Sequence, residues 1–479
     1  MIMKKVKYIG FCLLIACNCI YSQNNPVIGK LSLKQCIETG IANNLIVLQN
    51  DLQAQTTEVN FKQAKATRFP DLNASVGHGI NQGRSIDPFT NGFINQQVNY
   101  AGYVINSGVT LFNGFAIQNN IRQNKLIFQA AKMETQQAKD NLTINIILAY
   151  LQVLNNEDLL AQSQNQFELS KKQVERREVL NKQGAIMPSE LSDLKGQSAN
   201  DQLAIINNQS ALETSKITLC QLMNIPYDKK MQLERLETAE FATKYEDVPE
   251  TIYLAALEKF ALIKAVDLRR QSSLSGVKVA RGQLFPRLTL DGNANSNYSS
   301  VARRDVFINT TDVTTQDYVV VNGSPSPLIR KQSNYSSQKI AYGSQLNNNL
   351  FTQISLNLQI PIFNAFQARS RVSLAKINLK NDELVAQTTR IQLKQAIDQA
   401  YVNMTTASDR YKTLLDQVNA FDESFHAAEI RFNAGVGNSI DYLTAKNNLD
   451  RANINLINAK FDLVLRFKIL DYYEGKQLW

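Results

Sequence analysis

A long internal duplication restricts this chain more than any other feature of its sequence. Leu111-Phe112-Asn113-Gly114-Phe115 returns as Ile362-Phe363-Asn364-Ala365-Phe366, 251 residues later. The same offset carries Ala149-Tyr150 onto Ala400-Tyr401, Glu178 onto Glu429, Gly184 onto Gly435, Glu190 onto Asp441 and Leu219 onto Leu470. A register held over about a hundred residues without an insertion marks one motif written twice, not two unrelated helical domains. An upstream pair, Phe69-Pro70 and Phe285-Pro286, lies 216 residues apart, so the second copy holds 35 extra residues, all in one loop.

Each copy has one order: a helical run, a strand pair, a very long helical run, a Gly-containing turn and a shorter helical run. The first copy covers 23–230, with its strand hairpin at 69–112 and its helix-hairpin tip near 182–189. The second covers 231–479, with its strand hairpin at 285–363, its tip near 433–439 and a C-terminal segment beyond the hairpin. From Phe112 to Gly184 the chain runs 72 residues without proline, which as helix spans about 100 Å. Two shorter helices, about Pro188–Leu222 and about Leu31–Arg68, nearly sum to that length and are expected to stack end to end beside it.

In the second long run, apolar residues fall at Ile397, Tyr401, Met404, Tyr411, Leu414, Val418, Phe421, Phe425, Ala428 and Phe432. Steps of mostly three and four make a coiled-coil seam. Away from the seam the surface is filled largely by Gln, Asn, Lys, Asp, Ser and Thr, which leaves two wet faces and fits a hollow tube of helices better than a packed bundle. A long antiparallel coiled-coil hairpin is the competing reading of the seams alone.

The strand pairs alternate with period two. After Pro286, Leu288, Leu290 and Ala294 oppose Thr289, Asp291, Asn293 and Asn295. Ile354, Leu356, Leu358, Ile360 and Ile362 interleave with Ser355, Asn357, Gln359 and Pro361. In the first copy Leu72, Ala74 and Val76 oppose Asn73, Ser75 and Gly77, while Tyr103, Ile105, Val109 and Leu111 oppose Val104, Asn106, Gly108 and Thr110. Strands of about ten residues with one apolar and one polar side suit a lipid-facing wall around a wet lumen. Four strands cannot close a membrane barrel, the smallest having about eight, so several chains must pool theirs. The polar tips near Asn81–Asn99 and Ser299–Gln345 fall outside the apolar bands and read as loops, the second as an extracellular loop at the mouth.

The first 22 residues read as an export signal, with basic Lys4, Lys5 and Lys7 before a short apolar core. Cleavage after Ser22 is the first reading; Leu14-Ile15-Ala16-Cys17 also fits a lipoprotein box with Cys17 lipidated. Beyond the leader the longest uncharged apolar-leaning run is about 13 residues, Leu142–Leu154, where a spanning helix needs roughly 20. The net charge is +9, of which the three leader lysines supply three, leaving +6 spread thinly. With no aromatic-interleaved basic stripe, nucleic acid is not an expected partner. Past the leader only Cys36 and Cys220 remain, and both read as buried small residues.

On these residues the chain resembles the TolC family of outer-membrane efflux and export channels, over nearly all of its length beyond the leader. The most specific segments are the helix-hairpin turns, Asn181 to Leu191 and Phe432 to Leu443. The resemblance implies a mainly α fold with a β-barrel part: a homotrimer sharing a twelve-stranded outer-membrane barrel, continued by a helical periplasmic tunnel. It implies partnership with outer-membrane lipid, a periplasmic adaptor (membrane fusion) protein and an inner-membrane pump, in a tripartite efflux pump or type I secretion system of a Gram-negative bacterium. By the same resemblance, Gly184, Ala185 and Ile186 and Gly435, Val436 and Gly437 sit at the tips that contact the adaptor. Glu190 and Asp441 correspond to acids of the tunnel constriction, with Asp193 and Thr444 where a second acidic ring stands in some members. An acid in the first turn of a helix also meets the helix dipole favourably, which leaves a purely structural role open.

No cofactor, metal site or catalysis is expected. His78 lies in a strand and His426 on a helix, neither near a second ligand at metal spacing, and neither a nucleophile elbow nor a phosphate-binding Gly-Lys loop occurs. The principal alternative is a periplasmic coiled-coil adaptor, an interaction protein that has no need of strands with one continuous apolar face.

Overall fold

The computed structural model describes residues 30–86, 91–236, 245 and 247–476. The leader and Cys17 lie outside the described residues. The helices are α1 (Leu33–Asn43), α2 (Leu45–Ala66), α3 (Ala116–Lys182), α4 (Pro188–Met223), α5 (Pro249–Lys259), α6 (Ala261–Gly282), α7 (Tyr342–Asn348), α8 (Gln367–Asn433) and α9 (Ser439–Glu474). The strands are β1 (Asn73–Asn81), β2 (Arg84–Ile86), β3 (Phe93–Asn95), β4 (Val98–Phe112), β5 (Arg287–Ser299), β6 (Arg303–Val321), β7 (Ser324–Lys339) and β8 (Phe351–Gln359).

The duplication reaches the ends of the helices. α3 and α8 are both 67 residues and α4 and α9 both 36, each second-copy bound equal to the first plus 251. α1 and α5 are both 11 residues and α2 and α6 both 22, each displaced by 216. The fold is therefore mainly helical with a two-fold internal repeat. Where one long N-terminal helix was expected, the chain breaks at Asn44, whose ψ of 123° leaves the helical region.

The chain forms two compact units. Among the described residues, one comprises 30–45, 139–236, 245, 247–252 and 398–476, the other 46–86, 91–138 and 253–397. In the first, α4 lies along α3: Asn208 Nδ2 donates to the Leu159 carbonyl at 3.2 Å and Asn156 Nδ2 to that of Ala211 at 3.1 Å. The ends of α1 and α4 meet, Asn44 Nδ2 donating to Leu222 O at 3.0 Å and Asn224 Nδ2 to Asn43 O at 3.2 Å. The core here gathers Cys36, Ile37, Ile146, Tyr150, Leu219 and Met223. Tyr150 of the Ala-Tyr repeat landmark directs its hydroxyl to the carbonyls of Leu31 and Glu234, 3.0 and 2.6 Å away, fastening the first residues to the segment after α4. Every seam residue expected on α8 is buried or half-buried.

In the second unit α2 lies along α3, with Thr135 Oγ1 donating to the Asn50 carbonyl at 3.1 Å and the Phe61 and Phe128 rings stacked at 6.4 Å. α6 lies along α8, Arg390 giving 2.7 Å bonds to both Asp267 oxygens. The four-stranded sheet has the order β1-β4-β5-β8, antiparallel throughout. The Phe-Asn landmark is the joint between strand and helix. Gly114 and Phe115 have φ of 62° and 61°, and their repeats Ala365 and Phe366 have 51° and 61°. Two successive residues thus stand in the left-handed region, a step that ordinary side chains resist. At Gly114 a Cβ would also meet the Gly282 carbonyl at 2.6 Å.

Two expectations are corrected. The returning strand of the second copy ends at Gln359, short of Ile360 and Ile362, because Pro361 has no N–H to give a neighbouring strand. The extra segment of the second copy is an ordered ribbon of β6 and β7 followed by α7, not an irregular loop. Its turn is Asn322-Gly323, φ 50° and 81°, the residue pair that a two-residue hairpin with positive φ demands.

Candidate functional site: the sheet faces and the helix-hairpin turns

The register of the sheet sorts its residues into two faces. Leu288 pairs with Leu358; Leu290 lies between Val109 and Leu356; Ala294 faces Ile105, which faces Ala74. This face is apolar and open: Ile354 is 81% and Leu356 62% exposed, and Leu358, Ile105 and Val76 are exposed likewise. From Leu288 to Tyr298 it runs ten residue steps, about 33 Å along the strand, which at the usual barrel tilt gives a band about 25 Å tall. Aromatic residues bound it. At the helix-proximal end Phe112 and Phe115 pack edge to face at 5.6 Å, as Phe363 and Phe366 do at 5.5 Å. At the distal end the Tyr298 ring lies 4.5 Å from that of Tyr342, whose hydroxyl bonds to that of Tyr103.

The other face carries Asn73, Asn106, Asn293 and Asn357 with Asp291 and Ser355 in register. Asp291 Oδ2 accepts from Thr289 Oγ1 at 2.9 Å and from Asn357 Nδ2 at 2.8 Å. Asp71 Oδ1 accepts the Gly108 N–H at 2.8 Å, closing the entry to β1. A polar network of this kind belongs against water. The outer edges of β1 and β8 have no strand partner among the described residues.

The turns between the long helices place the other predicted residues. Gly184 and Gly435 have φ of 70° and 76°, the left-handed cap that glycine supplies. Val436 N and Gly437 N both donate to the Arg431 carbonyl, at 3.1 and 3.0 Å, and Ala185 N to that of Leu180 at 2.9 Å. Ala185 and Val436 are exposed, Val436 at 78%, while Ile186 is half-buried. Asp441 is exposed in the first turn of α9, its N–H capped by Asn438 Oδ1 at 2.7 Å, and Thr444 one turn on is exposed too. Their counterparts in the first copy are engaged: Asp193 accepts from Ser439 Oγ at 3.2 Å, and Glu190 lies 3.9 Å from Arg177. The structure thus brings Asp193 to the second copy and leaves Asp441 and Thr444 open.

Sequence reasoning missed what holds these turns. Arg177 is buried, its guanidinium 3.7 Å over the Phe432 ring and Nη2 donating to the Phe432 carbonyl at 2.6 Å. Burial lowers its pKa below the ordinary arginine value, against the pull of Glu190. Phe432 stacks on Tyr442 at 4.7 Å. Further along, Lys446 is 1% exposed and bonds Asp201 at 3.0 Å and Asp450 at 2.6 Å. Ser170 Oγ and Gln197 Nε2 also donate to Asp201, at 2.6 and 2.8 Å. Burial raises the Asp450 pKa while Lys446 opposes that rise. The signal was charge at seam spacing, Asp201 seven residues after Leu194 and Lys446 four after Tyr442.

Among the described residues no cluster of three metal-ligating side chains occurs, and no helix is long and apolar enough to cross a membrane. A family model described as outer membrane efflux protein matches residues 37–224 and 252–468. No curated protein matches. The solved structure of CusC superposes with a TM-score of 0.75 at 13% identity, covering 93% of this chain and 92% of its own. VceC of Vibrio cholerae gives 0.73 at 16%, covering 93% and 97%, and the CmeC outer membrane channel of Campylobacter jejuni gives 0.74 at 16%, covering 92% and 85%. At these identities the likeness is one of fold.

Proposed function

The chain belongs to the outer membrane efflux protein family, a channel of the outer membrane and not an enzyme, and from that premise we propose that it works as a homotrimer. Each copy contributes four strands to a shared twelve-stranded barrel. The observation that carries this reading is the sheet: an exposed apolar band about 25 Å tall, polar on its other side, with both outer edges unpaired among the described residues. Unpaired backbone groups in hydrocarbon cost several kcal/mol each, so the edges must meet those of other copies. A coiled-coil adaptor has no use for such a face.

In this reading the trimer is the outer-membrane part of a tripartite efflux pump or type I secretion system, and conducts passively what an inner-membrane pump and a periplasmic adaptor deliver. The resemblance to TolC-like channels supports that role. The adaptor contacts the turns at Gly184, Ala185 and Ile186 and at Gly435, Val436 and Gly437; the exposure of Ala185 and Val436 supports this. Val436→Asp should abolish pump-dependent export while heat-resistant trimers persist in the outer membrane. Normal export by that variant removes the docking assignment.

The constriction is formed by Glu190, Asp193, Asp441 and Thr444. The open position of Asp441 and Thr444 supports their part in it most directly, and a ring of Asp441 carboxylates attracts cations. Single-channel recording in a planar bilayer tests both levels. The full chain should conduct with cation preference, and Asp441→Ala combined with Glu190→Ala should raise conductance or weaken that preference. No conductance from the full chain overturns the channel reading; an unchanged trace from the variant overturns only the acidic constriction.

A further inference from the structure

A groove between helices of the second unit carries chemistry that the channel reading does not use. α3 and α6 are tied at two levels: Ser272 Oγ donates to the Gln123 carbonyl at 3.3 Å, and the Leu262 N–H to Gln137 Oε1 at 3.2 Å. Between these ties a cavity of about 650 Å³ opens along α2, α3 and α6. Lys125, Phe128 and Lys132 follow one another along α3 by three and four residues, and Lys264, Leu268 and Gln271 along α6 by four and three, so each set shares one helix face. The groove belongs to the helices and not to the sheet, since Lys125 lies nine residues, about 14 Å, into α3.

Its floor is aromatic. The Phe61 and Phe128 rings stack at 6.4 Å with 21° between their planes, and Met133 and Leu268 line the cavity with them. Stacked rings beside a thioether offer a flat apolar surface to a flat apolar body. Its rim is cationic, with Lys125, Lys132 and Lys264 all exposed and all lining the same cavity. Lys125 and Lys264 have no ion-pair partner among the described residues. Lys132 stands 4.5 Å over the Phe128 ring and attracts Glu58 only from beyond ion-pair distance, Lys62 holding that carboxylate at 2.8 Å. Asp267, the acid among the lining residues, gives both oxygens to Arg390 at 2.7 Å. The duplication shows that the fold does not demand this chemistry: at the corresponding positions the second copy has Val277 for Phe61, Leu379 for Phe128 and Glu383 for Lys132.

An apolar floor under uncommitted ammonium groups complements an amphipathic anion. We propose that this groove binds a soluble organic anion with a flat apolar body, the body lying on Phe61 and Phe128 and the acid group among Lys125, Lys132 and Lys264. The cavity is of the size that holds one such molecule. The site stands on the helices alone and does not depend on how the strands close. It is tested by equilibrium dialysis of the full chain in nonionic detergent, corrected against protein-free detergent, with naphthalene-2-sulfonate, the neutral 2-naphthalenemethanol and inorganic sulfate as probes.

The wild type should bind the sulfonate in preference to the alcohol and keep it against inorganic sulfate at equal concentration. The variant Lys125→Gln/Lys132→Gln/Lys264→Gln, which alters exposed side chains only, should bind the sulfonate about tenfold more weakly, the combined size of three exposed charge contacts, with the alcohol unaffected. Phe61→Val/Phe128→Leu, two residues that the second copy already carries at these positions, should weaken both naphthalene probes. Equal sulfonate affinity of the lysine variant and the wild type overturns the site, as does a wild type that binds neither naphthalene probe. Equal binding of alcohol and sulfonate by the wild type overturns the anion and leaves a plain apolar groove. Displacement by inorganic sulfate at equal concentration, or unchanged binding by the phenylalanine variant, overturns the flat apolar body.

Discussion

Lys446→Met should destabilise the helix-hairpin unit by about 3–5 kcal/mol, the cost of leaving a buried charge without its partner. Lys446 is the countercharge to Asp201, which the hydroxyl of Ser170 and the amide of Gln197 solvate but do not neutralise. Asp450 loses the group that opposes the rise of its pKa. Because Asp201 belongs to the first repeat and Lys446 to the second, the loss falls on the seam between α4 and α9 and not within one helix. Amide hydrogen exchange of the extracted channel should show both helices opening at lower free energy, with α2 and α6 unchanged. Lys446→Met with Asp201→Leu and Asp450→Leu should recover most of the loss, since replacing every member of a buried ion triad by apolar groups is close to neutral or better. Unchanged protection of α4 and α9 in the single variant would show that the ion triad does not hold the seam. A triple variant as open as the single one would place the loss in packing around Lys446, not in the stranded carboxylates.

This cluster also marks the limit of what the sequence could show. The repeat was legible because two copies of one motif must solve the same geometric problem, and the shared offset reaches the first and last residues of α3 and α8. The faces of the strands were legible because pleating alternates side chains with period two, so Leu290 and Asp291 could be assigned to opposite sides before any pairing was known. The partnership of Asp201 with Lys446 spans 245 residues and obeys no period; only their seam spacing hinted at burial. The ribbon was hidden by composition. Its Asn, Ser and Thr resemble a loop, although Tyr318 to Val321 ahead of Asn322-Gly323 carry the β-branched run and the turn of a hairpin. The break at Asn44 has no glycine or proline to announce it, and the side chain there reaches the Leu222 carbonyl, a tertiary bond. Near the turns, the resemblance assigned Asp193, Asp441 and Thr444 alike to a constriction, but it could not distinguish the open Asp441 and Thr444 from Asp193, which a hydroxyl of the other copy claims.

Ile105→Arg combined with Ile354→Arg should abolish assembly in the outer membrane. Both residues lie on the apolar face near the middle of the band, Ile105 opposite Ala294 and Ile354 opposite Gly292. An arginine facing lipid near the bilayer midplane costs about 2–4 kcal/mol, and a trimer would carry six of them, more than the marginal stability of a typical fold. Asn293→Arg is the control: it lies between the same strands, opposite Asn106 and Gln353, on the polar face. There the guanidinium enters water, so oligomers should form normally and only conductance or ion preference should move. The measurement is the yield of heat-resistant oligomer in outer-membrane fractions, followed by single-channel recording of whatever assembles. The contrast isolates the face from the strand, because all three positions lie within paired strands of one sheet while their side chains lie on opposite faces of it. Wild-type yield and conductance from the double arginine variant would mean that this face meets water or protein, and the lipid-facing wall on which the trimeric barrel rests would be lost.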